Sequence, residues 1–91
     1  MKNIGYWTER KGDGYPTPVA NSATPEQVQA MLKKLDAFIA GARVERYRGF
    51  SKCRICHKVN GTTEYEKNDV GIPEGLRHYL VEHAVLVPEL L

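Results

Sequence analysis

The chain has 91 residues, of which 42% are hydrophobic and 26% charged, with a formal net charge of +2 and two cysteines. That length supports one small domain, and a domain so short buries only about 60% of the surface its unfolded chain exposes. Apolar runs are too short for a transmembrane helix, which needs about 20 apolar residues, and residues 1–10 show no apolar signal-peptide segment.

No membrane partner is expected, and the expected location is cytoplasmic. Leu, Ile, Val and Phe number 21, just above the level at which disorder becomes the default. The chain should therefore fold around a thin core that needs a staple. In a reducing compartment, Cys53 and Cys56 are better suited to a metal or to catalysis than to a disulfide. A bridge closing so short a loop would also restrain the unfolded chain little. Asn60-Gly61-Thr62 fits a glycosylation sequon, but without a secretion signal it reads as chance.

Residues 1–23 carry Gly5, Gly12, Gly14, Pro16 and Pro18 without helical periodicity. They read as an extended arm, with Tyr6, Trp7 and Tyr15 available to pack on the body. Residues 24–91 read as a single small domain. Thr24, Pro25 and Gln27 form a helix start: an N-cap, a first-position proline and a capping-box partner. Val28, Met31, Leu32, Leu35, Phe38 and Ile39 recur at helical spacing and Gly41 is a stop, predicting a helix over 25–40. Its apolar stripe is mainly core, and any uncovered remainder would suit a homodimer or docking on a larger protein.

Residues 43–66 are predicted to hold a strand, a cysteine knuckle and a hairpin. Asn60-Gly61 is the signal for a two-residue turn, with 62–66 as the returning strand and 67–72 as a loop. Pro73 suits a first helical position, and Leu76, Tyr79, Leu80, His83 and Ala84 follow at helical spacing, predicting a helix over 73–85. The fold class is α+β: an N-terminal arm and helix packed on a ββα zinc-knuckle unit.

The sharpest feature is Cys53-x2-Cys56 followed, after 21 intervening residues, by His78-x4-His83. Zinc favours four tetrahedral nitrogen and sulfur ligands, and Cys2His2 is a standard structural set. The gap exceeds the usual 12–15 of the common finger pattern; the 67–72 loop would absorb the excess. At about 100° per residue, His78 and His83 lie about 140° apart on an ideal helix. Both reach one ion only if the helix loosens between them or if His83 sits at its end. Two alternatives stay open: His57 replaces one helical histidine, or the histidines are a packed or capping His83 and an exposed His78 without a metal. A four-ligand site is closed, hence structural and not catalytic. Structural zinc contributes about 10–16 kcal/mol in small finger peptides, against net domain stabilities of about 5–15 kcal/mol.

Ser51-x-Cys53-Arg54-x-Cys56, Asn60-Gly61-Thr62-x-Glu64, Pro73-Glu74-Gly75-Leu76-x-His78-Tyr79 and His83-x-Val85-x-x-Pro88 together resemble a family of small uncharacterised bacterial and phage zinc-finger-like proteins. The match covers about 47–88, nearly half the chain. The resemblance implies that Cys53, Cys56, His78 and His83 are the metal ligands, and it implies no activity. In a phage it would suit a host-directed regulator or inhibitor acting in the host cytoplasm. Two departures stand out: His57 stands where glycine is usual, and Gly71-Ile72 where an aromatic is usual.

Other chemistry fits less well. Cys53-x-x-Cys56-His57 is formally a c-type haem attachment motif, but haem maturation normally requires export. C-R-x-C knuckles also occur in metal-dependent HNH nucleases, yet no adjacent His-His pair or helical Asn completes such a site. His78 to His83 is one residue too long for the H-x-x-E-H protease motif. A C-x-x-C redox reading lacks its βαβ context.

Arg43, Arg46, Arg48, Lys52, Arg54 and Lys58 fall within sixteen residues opposed only by Glu45. They are candidate partner or nucleic-acid contacts, with Tyr47 and Phe50 placed to stack on bases. The bland reading is a solvated strand face beside thiolates. The last helix offers mainly Glu74, Arg77 and Glu82, a poor surface for a phosphate-lined groove, which disfavours sequence-specific DNA reading. The expected role is binding to a protein partner, with nucleic acid as the alternative and an enzyme third.

Overall fold

The computed structural model describes residues 2–7 and 16–91, with the side chains of residues 2 and 47–50 left aside. The architecture is α+β, as expected. Strands β1 (Lys2–Asn3), β2 (Arg43–Lys52), β3 (Val59–Lys67) and β4 (Val70–Pro73) form one sheet in the order β1-β4-β3-β2. Helices α1 (Pro25–Ala40) and α2 (Leu76–His83) and a terminal 3-10 turn (Pro88–Leu90) complete the described chain. The β2–β3 and β3–β4 pairs are antiparallel, and the short β1 runs parallel to β4.

Helix α1 forms for the reasons its sequence announces. Thr24 Oγ1 accepts the Gln27 N–H at 3.2 Å, and Gln27 Oε1 accepts the Thr24 N–H at 2.8 Å. Two first-turn donors are thus satisfied with Pro25 at the start. Met31 and Leu35 are buried, with Val28, Leu32, Phe38 and Ile39 partly buried against the same core. Ile72 of β4, Leu76, Tyr79 and Leu80 of α2, and Val85, Val87 and Leu90 beyond it complete that core. Cys53 is fully buried within it, so one wall of the core is the knuckle itself.

Several expectations need correction. Asn60 and Gly61 lie inside β3 and do not form the hairpin turn. The β2–β3 reversal is the knuckle at 53–58, whose closing partners are Lys52 and Val59. Tertiary contact overrides the local turn signal: Ser51 Oγ donates to Asn60 Oδ1 at 2.7 Å, and a Cβ on Gly61 would lie 2.9 Å from Glu74 Oε1. The two-residue turn sits instead at Asn68 and Asp69, both at positive φ, between the paired Lys67 and Val70. Asn and Asp tolerate the left-handed conformation that such a turn demands. The segment expected to be a loop over 67–72 therefore makes a turn and then β4.

Pro73 ends β4 and does not start the helix, which begins at Leu76. Its missing N–H is harmless at a strand end. Part of the expected arm is also structured. Lys2 and Asn3 pair with Val70 and Gly71, and the Ile4 N–H continues the ladder to the Gly71 carbonyl at 2.9 Å. Gly5, at φ 81°, comes so close to Leu76 that a Cβ would meet its methyls at 2.8 Å. Tyr6 and Trp7 are partly buried, as expected of the arm; Tyr15 lies outside the described residues. No helix among the described residues is long and apolar enough to cross a membrane.

Candidate metal centre

The knuckle is built by backbone hydrogen bonds. The Cys53 N–H donates to the Lys58 carbonyl, and the His57 N–H to the Cys53 carbonyl, each at 2.9 Å. The loop so closed turns the Ile55 and Cys56 N–H groups onto Cys53 Sγ at 3.4 and 3.5 Å. Such donors favour a thiolate. Burial pushes the Cys53 thiol up, but hydrogen bonds from the Cys56 and Ile55 backbones, the Cys56 side chain and Tyr79 outweigh it and lower its pKa. Cys53 and Cys56 are both free thiols.

His57 has a φ of 64°, a left-handed conformation that glycine adopts without strain. The His57 side chain is exposed and stands outside the ligand cluster.

Helix α2 brings the two histidines. His83 is its last residue, and Ala84 follows in the left-handed conformation at φ 46° and ψ 48°. The angular mismatch between His78 and His83 is thus resolved where the helix ends. Residues before α1 hold this end in place. The Asn21 N–H donates to the His83 carbonyl at 2.7 Å, the Ala23 N–H to the Ala84 carbonyl at 2.9 Å, and the Leu86 N–H to Ser22 Oγ at 2.8 Å.

The start of α2 is tied to β3. Glu74 Oε1 accepts the Thr62 N–H at 2.8 Å, and the Glu74 N–H donates to the Thr63 carbonyl at 2.9 Å. A Cβ on Gly75 would lie 2.6 Å from Asn60 Oδ1. Three separate motifs of the sequence, around Ser51, Asn60-Gly61 and Glu74-Gly75, are therefore one contact that orients α2 toward the knuckle.

As a result, ligand atoms of Cys53, Cys56, His78 and His83 all lie within 4.8 Å of one another. Cys56 Sγ is 3.3 Å from His78 Nε2, and the two imidazoles meet edge to face at 5.1 Å between centroids. His83 Nε2 is buried without a hydrogen-bond partner, an arrangement that is unfavourable unless something else binds that nitrogen. The four residues are close enough to hold one metal ion. They are the four expected from the spacing.

Tyr79 was expected only as a core residue, and the structure gives it more. Its hydroxyl accepts the Arg54 N–H at 2.6 Å, at the amide that follows Cys53. Burial, partly offset by the Arg54 N–H, pushes its pKa up to about 12. Its position next to His78 was the available signal; its helical spacing masked it.

The basic stretch is less available than its sequence suggests. Arg43 pairs with Glu66 at 2.5 Å and with Glu45 at 3.2 Å. The Arg54 guanidinium donates to the Lys52 carbonyl. Arg46, Lys52 and Lys58 are exposed. The side chains of Arg48, Tyr47 and Phe50 lie outside those described. No family model matches the chain, and no curated protein or solved structure matches it.

Proposed function

We propose that the chain is a structural-zinc module, without enzymatic activity of its own, that works by binding a protein partner. The observation that carries the metal reading is the convergence of two thiols and two imidazoles within 4.8 Å, with one imidazole nitrogen buried and unpartnered. Zinc takes sulfur at about 2.3 Å and imidazole nitrogen at about 2.0–2.1 Å, so tetrahedral donors stand roughly 3.3–3.8 Å apart. The 3.3 Å between Cys56 Sγ and His78 Nε2 falls at that spacing. Four protein ligands leave no open position, which makes the role structural. When bound, zinc would tie the knuckle to α2 and complete the core wall around Cys53.

A protein partner is supported by the partly buried Val28, Leu32, Phe38 and Ile39 on α1, whose uncovered area suits docking or a second copy. It is also supported by the loss of free positive charge at Arg43, which weakens the nucleic-acid alternative. The motif resemblance points the same way, and places a host-directed regulator or inhibitor among the roles proposed.

Elemental analysis of the purified chain tests the reading. About one zinc per chain is expected, with chelation unfolding the knuckle; a folded, metal-free protein sinks it. Retention on nucleic acid that is lost on replacing Arg46 and Lys58 would favour the alternative partner.

A further inference from the structure

Tyr79 stands between the knuckle and both histidines of the metal centre. Its hydroxyl accepts the Arg54 N–H within the knuckle, at the amide that follows Cys53. Its ring lies 6.2 Å from the His78 ring and 6.4 Å from the His83 ring. The Trp7 indole lies 5.5 Å from the same ring, tilted by 58°. Trp7 is carried by the segment that pairs β1 with β4, and Ile4 of that segment is buried in the core. Tyr79 therefore joins two things that are far apart in the chain: the ligand set and the seated N-terminal segment.

We propose that Tyr79 is a positioning residue for the metal, and that through it the Trp7 segment acts as a clamp whose seating and metal loading reinforce each other. The inference rests on the metal-binding reading above and deepens it. The physical basis is that groups bonded to metal ligands fix ligand orientation and basicity, and their loss typically lowers metal affinity about 10–100-fold. Here the hydroxyl holds the knuckle backbone at the amide directly after Cys53 while the ring flanks both histidines, so the ligands are aimed before the ion arrives. The indole packs against the ring that carries this hydroxyl. Coupling of this kind is reciprocal: whatever factor the seated segment adds to metal affinity, the metal adds to the seating equilibrium.

The test uses the full chain with Zn²⁺, and Co²⁺ as a spectroscopic probe. Tyr79→Phe keeps the ring against Trp7 and both histidines but removes the hydroxyl. Competition titration is expected to show a loss of about 10–100-fold in Zn²⁺ affinity. The thiolate-to-Co²⁺ charge-transfer band is expected to shift, since the knuckle that aims the Cys53 sulfur loses its anchor on α2. Trp7→Ala leaves every ligand and the hydroxyl in place and is expected to weaken Zn²⁺ binding several-fold. In the wild-type chain, Zn²⁺ is expected to slow amide exchange at Ile4, whose N–H bonds to Gly71.

Unchanged affinity and an unmoved band in Tyr79→Phe would overturn the positioning role. Ile4 exchange indifferent to Zn²⁺, with Trp7→Ala binding as the wild type does, would overturn the clamp. Both results leave the metal reading intact, whereas a wild-type chain that binds neither ion overturns that reading together with the inference.

Discussion

The two helices are held by different means. Helix α1 carries its own instructions: a capping box, a proline at its start and an apolar stripe with Met31 and Leu35 fully buried. Helix α2 has eight residues, no side-chain cap at Gly75, and a left-handed alanine at its end. Isolated helices that short are unstable in water. It is held from outside, by Glu74 on Thr62, by Tyr79 on the knuckle, and by the chain before α1 on His83 and Ala84. A helix whose position is dictated by its neighbours is one whose histidines can be placed accurately. The autonomous helix supplies the packing surface, and the dependent one brings His78 and His83 to the cysteine pair.

Metal removal should separate the two most strongly. Chelation, or Cys53→Ser, removes a contribution on the order of 10–16 kcal/mol, comparable to the whole stability of a small domain. Amide exchange is expected to become fast across α2, with residual helicity confined to α1. Protection of α2 in the presence of chelator would break the contrast.

Leu35→Ala attacks the other helix and is expected to cost about 2–5 kcal/mol in thermal or denaturant unfolding. The native fraction should still hold one metal per chain. Glu74→Ala removes the acceptor of the solvent-exposed Thr62 N–H and should cost about 0.5–1.5 kcal/mol, with Zn²⁺ affinity falling because α2 is no longer aimed. Thr24→Ala removes the α1 cap and should cost about 1 kcal/mol, leaving Zn²⁺ affinity of the folded protein unchanged. The smallest effect is a gain: His57→Gly relieves the left-handed backbone and should stabilise by roughly 1 kcal/mol, at unchanged metal stoichiometry. A loss of bound metal in that variant would make His57 a ligand.

What could be read in the sequence follows the same division. Helix α1 was legible because its cap and its 3.6-residue period are local. The cluster of Cys53, Cys56, His78 and His83 was legible because metal coordination restricts residue type and spacing. The β3–β4 hairpin was not: Asn60-Gly61 is the stronger turn signal in isolation, and only contacts with Ser51 and Glu74 hold it in a strand. Strand β4 was hidden because Gly71 and Pro73 look like loop residues, although both are buried between β1 and β3. The α2 boundary moved from Pro73 to Leu76 for the same reason. Tyr79 was visible as a core position, but no periodicity distinguishes a tyrosine that packs from one that also holds the knuckle backbone.

The parallel pairing of Lys2 and Asn3 with Val70 and Gly71 also orders events during synthesis. The partner strand is translated dozens of codons after β1, which at about 5–20 residues per second means a delay of several seconds. Throughout that interval Ile4 and Trp7 have nothing to cover them. The cysteines emerge before β4, and the histidines after it. Ile4 and Trp7 are therefore made early and buried late, in the same interval that completes the cluster of Cys53, Cys56, His78 and His83, and a growing chain that has emerged only as far as residue 70 would show a chaperone both a bare tryptophan and an open pair of thiols.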